Sequence, residues 1–172
     1  MMLYETTYNS PMGPLSIICN QTALKGIWFK GQKYFQASIN HNAISEHGNK
    51  YSSIVHHWLN RYFNQENPAI SELKLAPEGT DFRQKVWQIL QTVPYGETIT
   101  YKQIGLSLAK QPMSSQAIGG AVGHNPISII IPCHRVVGAN GSLTGYAAGI
   151  DTKIALLQHE HANFDHLFNP LK

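Results

Sequence analysis

A chain of 172 residues makes one or two compact domains and is long enough to bury an adequate core. Thirteen Lys and Arg against ten Asp and Glu leave it mildly basic, with six basic and five acidic residues up to Gly79 and seven and five after it. That balance permits a polyanionic partner without pointing to one. No apolar stretch approaches the ~20 residues that span a bilayer.

In chain order, residues 3–30 alternate short extended runs with turn signals. Residues 9–14 are a turn cluster between two strands, and residues 15–19 and 26–29 read as further strands. Residues 31–49 are polar and irregular. Residues 51–65 predict a helix whose Ile54, Val55, Trp58, Leu59, Tyr62 and Phe63 form one core-facing stripe. Residues 67–80, with Pro68 and Pro77, are the natural linker, so a first domain is expected over residues 1–79 and a second over 80–172. Thr80 and Asp81 are cap candidates for a helix to about Thr92, with Phe82, Val86, Ile89, Leu90 and Val93 facing the core. Pro94-Tyr95-Gly96 turns the chain. Thr100 starts another helix with Gln103 at the capping-box position, running to about Ala109 and broken by Gln111-Pro112. Ser114 or Ser115 caps a third helix to about Gly123. Two short helices around a tight break make a helix-turn-helix candidate, although a generic helical hairpin gives the same pattern. After Pro126 a strand-like run leads to Pro132, Asn140-Gly141 signals a turn, and a last helix covers residues 151–161 with Ile154, Leu156 and Leu157 available to pack. The fold class expected is α+β: a small N-terminal mixed sheet-and-helix domain plus a mostly helical C-terminal domain with a helix-turn-helix.

Residues 129–137 read I-I-I-P-C-H-R-V-V. A thiolate, not a thiol, is the nucleophile, and neighbouring cations lower a cysteine pKa, so Cys133 between Pro132, His134 and Arg135 is a candidate. Pro132 fixes one dihedral just before the sulfur. A small buried cysteine that merely packs is the competing reading. The only other cysteine, Cys19, lies far away in sequence, and free thiols in a reducing, cytoplasmic compartment are expected. The N-terminus lacks a basic region followed by an apolar core. His56-His57 and His159-Glu160-His161 invite a metal reading. Adjacent histidines point to different parts of a helix surface, however, and cations suit a helix C-terminus. No metal and no cofactor are expected.

Five segments, in order and at matching spacing, resemble the O6-alkylguanine-DNA alkyltransferase (methylated-DNA–protein-cysteine methyltransferase) family. They are V-P-Y-G-E-T-I-T-Y (residues 93–101), A-I-G-G-A-V-G-H-N-P (117–126), I-P-C-H-R-V-V-G (131–138), G-S-L-T-G-Y-A-A-G (141–149) and L-L-Q-H-E (156–160). The resemblance implies irreversible, single-turnover transfer of an alkyl group from O6-alkylguanine in double-stranded DNA, and secondarily from O4-alkylthymine, to Cys133. It implies that His134 draws the thiol proton through a water and that Glu160 orients that histidine, the nucleophile–base–orienter logic of a triad. By the same resemblance Asn125 braces the active-site turn, Tyr101 donates to guanine N3, and Tyr146, Ala147 and Val136 wall the pocket. Tyr101, Ser114, Ser115, Gln116, Ala117, Gly119 and Arg135 would face DNA, with the second short helix in the minor groove and the damaged nucleotide flipped out. Lys102 and Lys110 would add backbone attraction. A monomer with no obligate protein partner is implied.

Gln116 departs from the family pattern. That position usually carries an arginine, which wedges into the stack the base has left. Glutamine has no charge and a shorter reach, so weaker DNA affinity or slower repair is expected. Three other readings remain open: a non-enzymatic alkylated-DNA recognition protein, a cysteine hydrolase using Cys133 and His134, and a helix-turn-helix regulator.

Overall fold

The computed structural model describes residues 1–40, 44–109 and 113–172. Its chain divides into two compact units, Met1–Gly79 with Pro126–Ser128, and Thr80–Asn125 with Ile129–Lys172. Nothing in the composition signals the three-residue return at Pro126.

In the first unit, β1 (Leu3–Ser10), β2 (Gly13–Cys19) and β3 (Leu24–Phe29) pair antiparallel, and β4 (Ile44–Ser45) adds to β1 in parallel, giving the order β3-β2-β1-β4. The β1–β2 hairpin closes on Gly13, whose φ of +116° suits glycine. From Leu15 to Cys19 and throughout β3 every residue is buried, which is why these strands read as apolar runs and not as alternations. Helix α1 (Lys50–Phe63) packs on the sheet through Val55, Trp58, Leu59 and Tyr62, each contributing about 1.5–3 kcal/mol by burial. Its start is fixed by a reciprocal capping box between Asn49 and Ser52. Ile54, expected in the buried stripe, is exposed instead. The short β4 falls where only irregular chain was expected.

In the second unit, Thr80 caps α2 (Asp81–Leu90) by accepting from the Arg83 amide. Trp87 Nε1 donates to the Ala121 carbonyl at 2.8 Å, which ties α2 to α4 (Ser115–Gly123, capped by Ser114). The two-residue strand β5 (Ile99–Thr100) leads directly into α3 (Tyr101–Leu108), where Thr100 and Gln103 form a capping box. Strand β6 (Val136–Val137) pairs parallel with β5, Ile99 opposite Val136 and Thr100 opposite Val137. This small ladder sets the first residue of α3, Tyr101, beside the segment that follows Cys133. Helix α5 (Ile150–His159) completes the unit. The break expected at Gln111-Pro112, and Lys110 with it, lie outside the described residues.

The run before Cys133 is not a strand. Residues 128–130 form a turn, Ile127 makes an isolated bridge to Ile27 outside any strand, and Ile129 has φ +72°, a rare conformation for a β-branched residue. Every residue from 125 to 137 is buried, so the apolar run records burial on all sides and carries no period. Beyond α5 the chain folds back: the Leu143 amide donates to the Phe168 carbonyl and the Phe168 amide to the Gly141 carbonyl. Gly141 has φ +88°, and a Cβ there would lie 1.9 Å from the His166 carbonyl oxygen. Among the described residues no helix is long and apolar enough to cross a membrane.

Candidate active site

Cys133 opens a single 3₁₀ turn, Cys133–Arg135, and is 6 % exposed. Its amide donates to the Ile131 carbonyl at 2.8 Å, and Asn125 Nδ2, just beyond α4, donates to the same oxygen at 2.8 Å. The turn that presents the sulfur is therefore held by its own backbone and by one side chain. Asn125 also reaches the sulfur with a hydrogen bond that favours the thiolate.

Glu160, the residue capping α5, is buried and gathers four donors, one of them the Gly96 amide, which reaches Oε2 at 3.3 Å. Its Oε1 accepts from His134 Nε2 at 2.7 Å and from Arg135 Nη2 at 2.9 Å, and its Oε2 accepts from Arg135 Nε at 2.8 Å. Burial alone would raise this carboxyl. The His134 ring and the paired guanidinium outweigh it and hold Glu160 well below the usual carboxylate range. Burial lowers the His134 pKa, more than Glu160 raises it, so the ring is neutral near pH 7. Those two directions pull against each other only over the charge of His134. The Arg135 guanidinium, paired with both carboxylate oxygens, keeps Glu160 ionised in either case. An ionised Glu160 can only accept, which puts the proton on Nε2 and leaves Nδ1 as the basic nitrogen. Nδ1 is buried and meets no hydrogen-bond partner among the described residues.

The sequence suggested that flanking cations lower the Cys133 pKa, and the site works differently. Burial pushes the thiol up, and Asn125 and Lys153 only partly offset it. Arg135 is neutralised by Glu160, and His134 is uncharged. At rest the sulfur is a thiol that needs a base. Tyr101 and Tyr146 lie within electrostatic range of it, and burial first, then the Cys133 charge, raises both phenols, Tyr101 to about 12 and Tyr146 well above its ordinary value. Tyr101 donates to the Thr144 carbonyl at 3.3 Å. The Tyr146 hydroxyl is buried without a hydrogen-bond partner of standard geometry, although the nearby sulfur contributes to its shift.

The structure thus gathers Tyr101, Asn125, Cys133, His134, Tyr146 and Glu160. Val136 is buried and Ala147 half-buried in the segments on either side of the turn at residues 138–141. Ser114, Ser115, Gln116 and Ala117 lie exposed on the first turn of α4, Gly119 is half-buried, and Lys102 is exposed on α3. Arg135 stands apart from these. It is buried, its third contact donates from Nη1 to the Val93 carbonyl at 2.6 Å, and its guanidinium sits 5.8 Å from the Tyr95 ring centre. It is aimed inward and is a brace for Glu160, not an outward donor to phosphate. Among the described residues no group of three His, Cys, Asp or Glu side chains could hold a metal.

Two family models cover nearly the whole chain. One described as "6-O-methylguanine DNA methyltransferase, ribonuclease-like domain" matches residues 3–77, and one described as "6-O-methylguanine DNA methyltransferase, DNA binding domain" matches residues 81–162. The chain belongs to the 6-O-methylguanine DNA methyltransferase family. Among its relatives, the methylated-DNA–protein-cysteine methyltransferase of Methanosarcina barkeri is 43 % identical over 162 residues, 94 % of this chain and 99 % of that one. The crystal structure of Mycobacterium tuberculosis O6-methylguanine methyltransferase is similar with a TM-score of 0.77 and 40 % identity over 93 % of each chain. That of Mycobacterium tuberculosis OGT in complex with DNA is similar with a TM-score of 0.76 and 37 % identity over 94 % of this chain and 93 % of that one.

One charged residue of this methyltransferase-family site escaped the sequence reading. Lys153 is fully buried, and its Nζ donates to the Val136 and Thr144 carbonyls. The signal was present: Lys153 sits between Ile150, Ile154 and Leu157, in the apolar stripe of α5 at helical spacing.

Proposed function

We propose that this protein repairs DNA by transferring an alkyl group, methyl above all, from guanine O6 to its own Cys133, with O4-alkylthymine as a lesser substrate. The observation that carries the reading is a family member's intact reacting set: a buried cysteine beside a neutral histidine whose basic Nδ1 is unpartnered and whose other nitrogen is held by an ionised glutamate. In the step, Nδ1 takes the thiol proton, relayed by one water. The sulfur forms a bond to the alkyl carbon as the carbon–oxygen bond breaks, and its electron pair leaves with the guanine, which is protonated in turn. Tyr101, hydrogen-bonded to guanine N3, assists that departure. The thioether product is stable, so each molecule acts once.

The second unit, from Thr80 onward, carries this chemistry and, through α3 and α4 acting as a helix-turn-helix, the DNA contact. Among the described residues, Gly120 and Gly123 have nothing within 4 Å of where a Cβ would stand, and Gly119 has a Tyr101 ring carbon at 3.9 Å. Packing among the described residues does not require these helix-weakening glycines. A smooth face for a closely approaching groove does. Both cysteines are free thiols, in keeping with a cytoplasmic setting.

The decisive experiment is the intact mass after incubation with a duplex oligonucleotide carrying one O6-methylguanine. A gain of one methylene, mapping to Cys133 and absent in Cys133→Ala, is expected. No gain with retained binding would leave a damage-recognition protein in its place. Gln116, exposed on α4, gives a second check. Gln116→Arg is expected to tighten duplex binding about tenfold and to steepen the slope of log affinity against log salt by about one. Unchanged affinity, salt slope and repair rate would remove this position from the interface.

A further inference from the structure

Lys153 is a buried ammonium without a carboxylate. Its side chain is 0 % exposed, and among the described residues no Asp or Glu oxygen lies within 4.0 Å of it. The charged and titratable groups of the surrounding site are Cys133, His134 and Arg135 on the 3₁₀ turn, Glu160 at the end of α5, Tyr146 on the following loop and Tyr101 on α3. Glu160 is committed to Arg135 and His134. His134 is neutral, and both phenols keep their protons. Arg135 and Glu160 cancel, which leaves the site one positive charge in excess while Cys133 is a thiol. Ionising Cys133 is the change that balances it.

The backbone contacts of Lys153 are as specific as its charge. Nζ donates to the carbonyl of Val136, three residues after the nucleophile, at 2.5 Å, and to the carbonyl of Thr144, at the head of the loop bearing Tyr146, at 3.1 Å. Thr144 oxygen also accepts from Tyr101.

We propose that Lys153 is a positioning residue for the transfer: it is the buried counter-cation of the Cys133 thiolate, and it clamps the Thr144 loop to the strand that follows the nucleophile. The first half rests on a fully buried ammonium that meets no carboxylate and is hydrogen-bonded three residues from the nucleophile, and the second on the two carbonyls it joins. The titration behaviour is consistent with both. Burial lowers the Lys153 pKa to about 8, with the Cys133 charge opposing that shift, and Lys153 in turn favours ionisation of Cys133. The shared carbonyl has a further consequence. When the Tyr101 hydroxyl turns from Thr144 to an incoming base, Lys153 keeps that oxygen satisfied, so Tyr101 is released without an orphaned acceptor.

The proposal builds on the alkyl-transfer reading, and its test avoids DNA so that the two can fail separately. The full-length protein is titrated with iodoacetamide, a small neutral electrophile, and modification of Cys133 is followed by mass from pH 6 to 10. Lys153→Gln keeps an amide donor for the carbonyls and removes the charge. It is expected to slow modification about tenfold at pH 7 and to move the profile up by about one pH unit. Lys153→Arg, which keeps the charge, is expected to stay closer to the parent profile. A Lys153→Gln profile that overlays the parent, with only thermal stability changed, would reduce Lys153 to a structural residue and overturn the proposal. A second measurement needs no variant. In the unaltered protein the rate ratio of iodoacetate to iodoacetamide at Cys133 is expected to fall as pH rises through Lys153's titration near 8. The anionic reagent loses its attracting cation there. A flat ratio across that range would equally overturn it.

Discussion

Glu160→Ala is expected to destabilise the second unit by about 3–5 kcal/mol, the cost of removing one partner from a buried ion pair. The carboxylate accepts two bonds from Arg135, one from His134 and one from the Gly96 amide inside the protein. Without it the guanidinium remains buried with the Val93 carbonyl and the Tyr95 ring to meet it, and no counter-charge. Urea denaturation of the full chain should show the loss as a lowered midpoint. Glu160→Gln, which keeps an acceptor, should lose less stability and more activity. The acid limb has a definite sign. Glu160 has a depressed folded pKa, so its contribution is fully present above the ordinary carboxyl range and is lost as pH falls through that range and below. His134 acts in the same direction: its folded pKa is lowered, the unfolded chain binds more protons, and stability falls as pH drops through the ordinary histidine range. Glu160→Gln should therefore flatten the acid limb below about pH 5 while the histidine part persists and grows, since Glu160 is what holds the His134 pKa up. An alanine variant that unfolds with the parent at every pH would refute this view of the pair.

How much of this could be read beforehand depended on whether the cause was local. The starts of α2, α3 and α4 at Thr80, Thr100 and Ser114 were legible because a cap is a side chain bonding to backbone two or three residues away. The pairing of His134 with Glu160 came from family resemblance and not from spacing. The residues are 26 apart, and no periodicity joins a turn to a helix end. The family resemblance places Arg135 on the DNA, and nothing local in the sequence opposes that. Only the fold reveals that Glu160 and Val93 draw it inward. The pKa direction of Cys133 failed for the same reason: adjacent cations in sequence say nothing about whether a carboxylate cancels one of them or burial neutralises the other. Residues 127–131 misled because a fully buried turn and a buried strand share one composition. Lys153 was legible in principle, since a lysine inside an apolar helical stripe must either snorkel outward or meet acceptors inside.

The raised thiol pKa makes the next expectation the sharpest on rate. His134→Gln should lower the second-order rate of alkyl transfer at pH 7 by about 10²–10⁴-fold, the usual worth of a positioned general base. Were Cys133 already a thiolate at rest, losing the base would cost little. Burial keeps the sulfur protonated, so the proton must go to Nδ1 as the bond to carbon forms. Glutamine can still donate to Glu160, which preserves the Arg135 pair, yet it offers no basic nitrogen. The pH dependence separates this from mere disruption. In the parent, activity should be flat once His134 is neutral. In the variant it should climb with pH, through and beyond the ordinary thiol range, as hydroxide does the work of the imidazole. The gap between the two should therefore narrow steadily toward pH 10. Single-turnover transfer from an O6-methylguanine duplex, followed by intact mass across that range, measures it directly. A variant whose rate stays within a few-fold of the parent at pH 7 would show that Cys133 ionises without His134. Asn125 and Lys153 would then have to supply the whole of its activation.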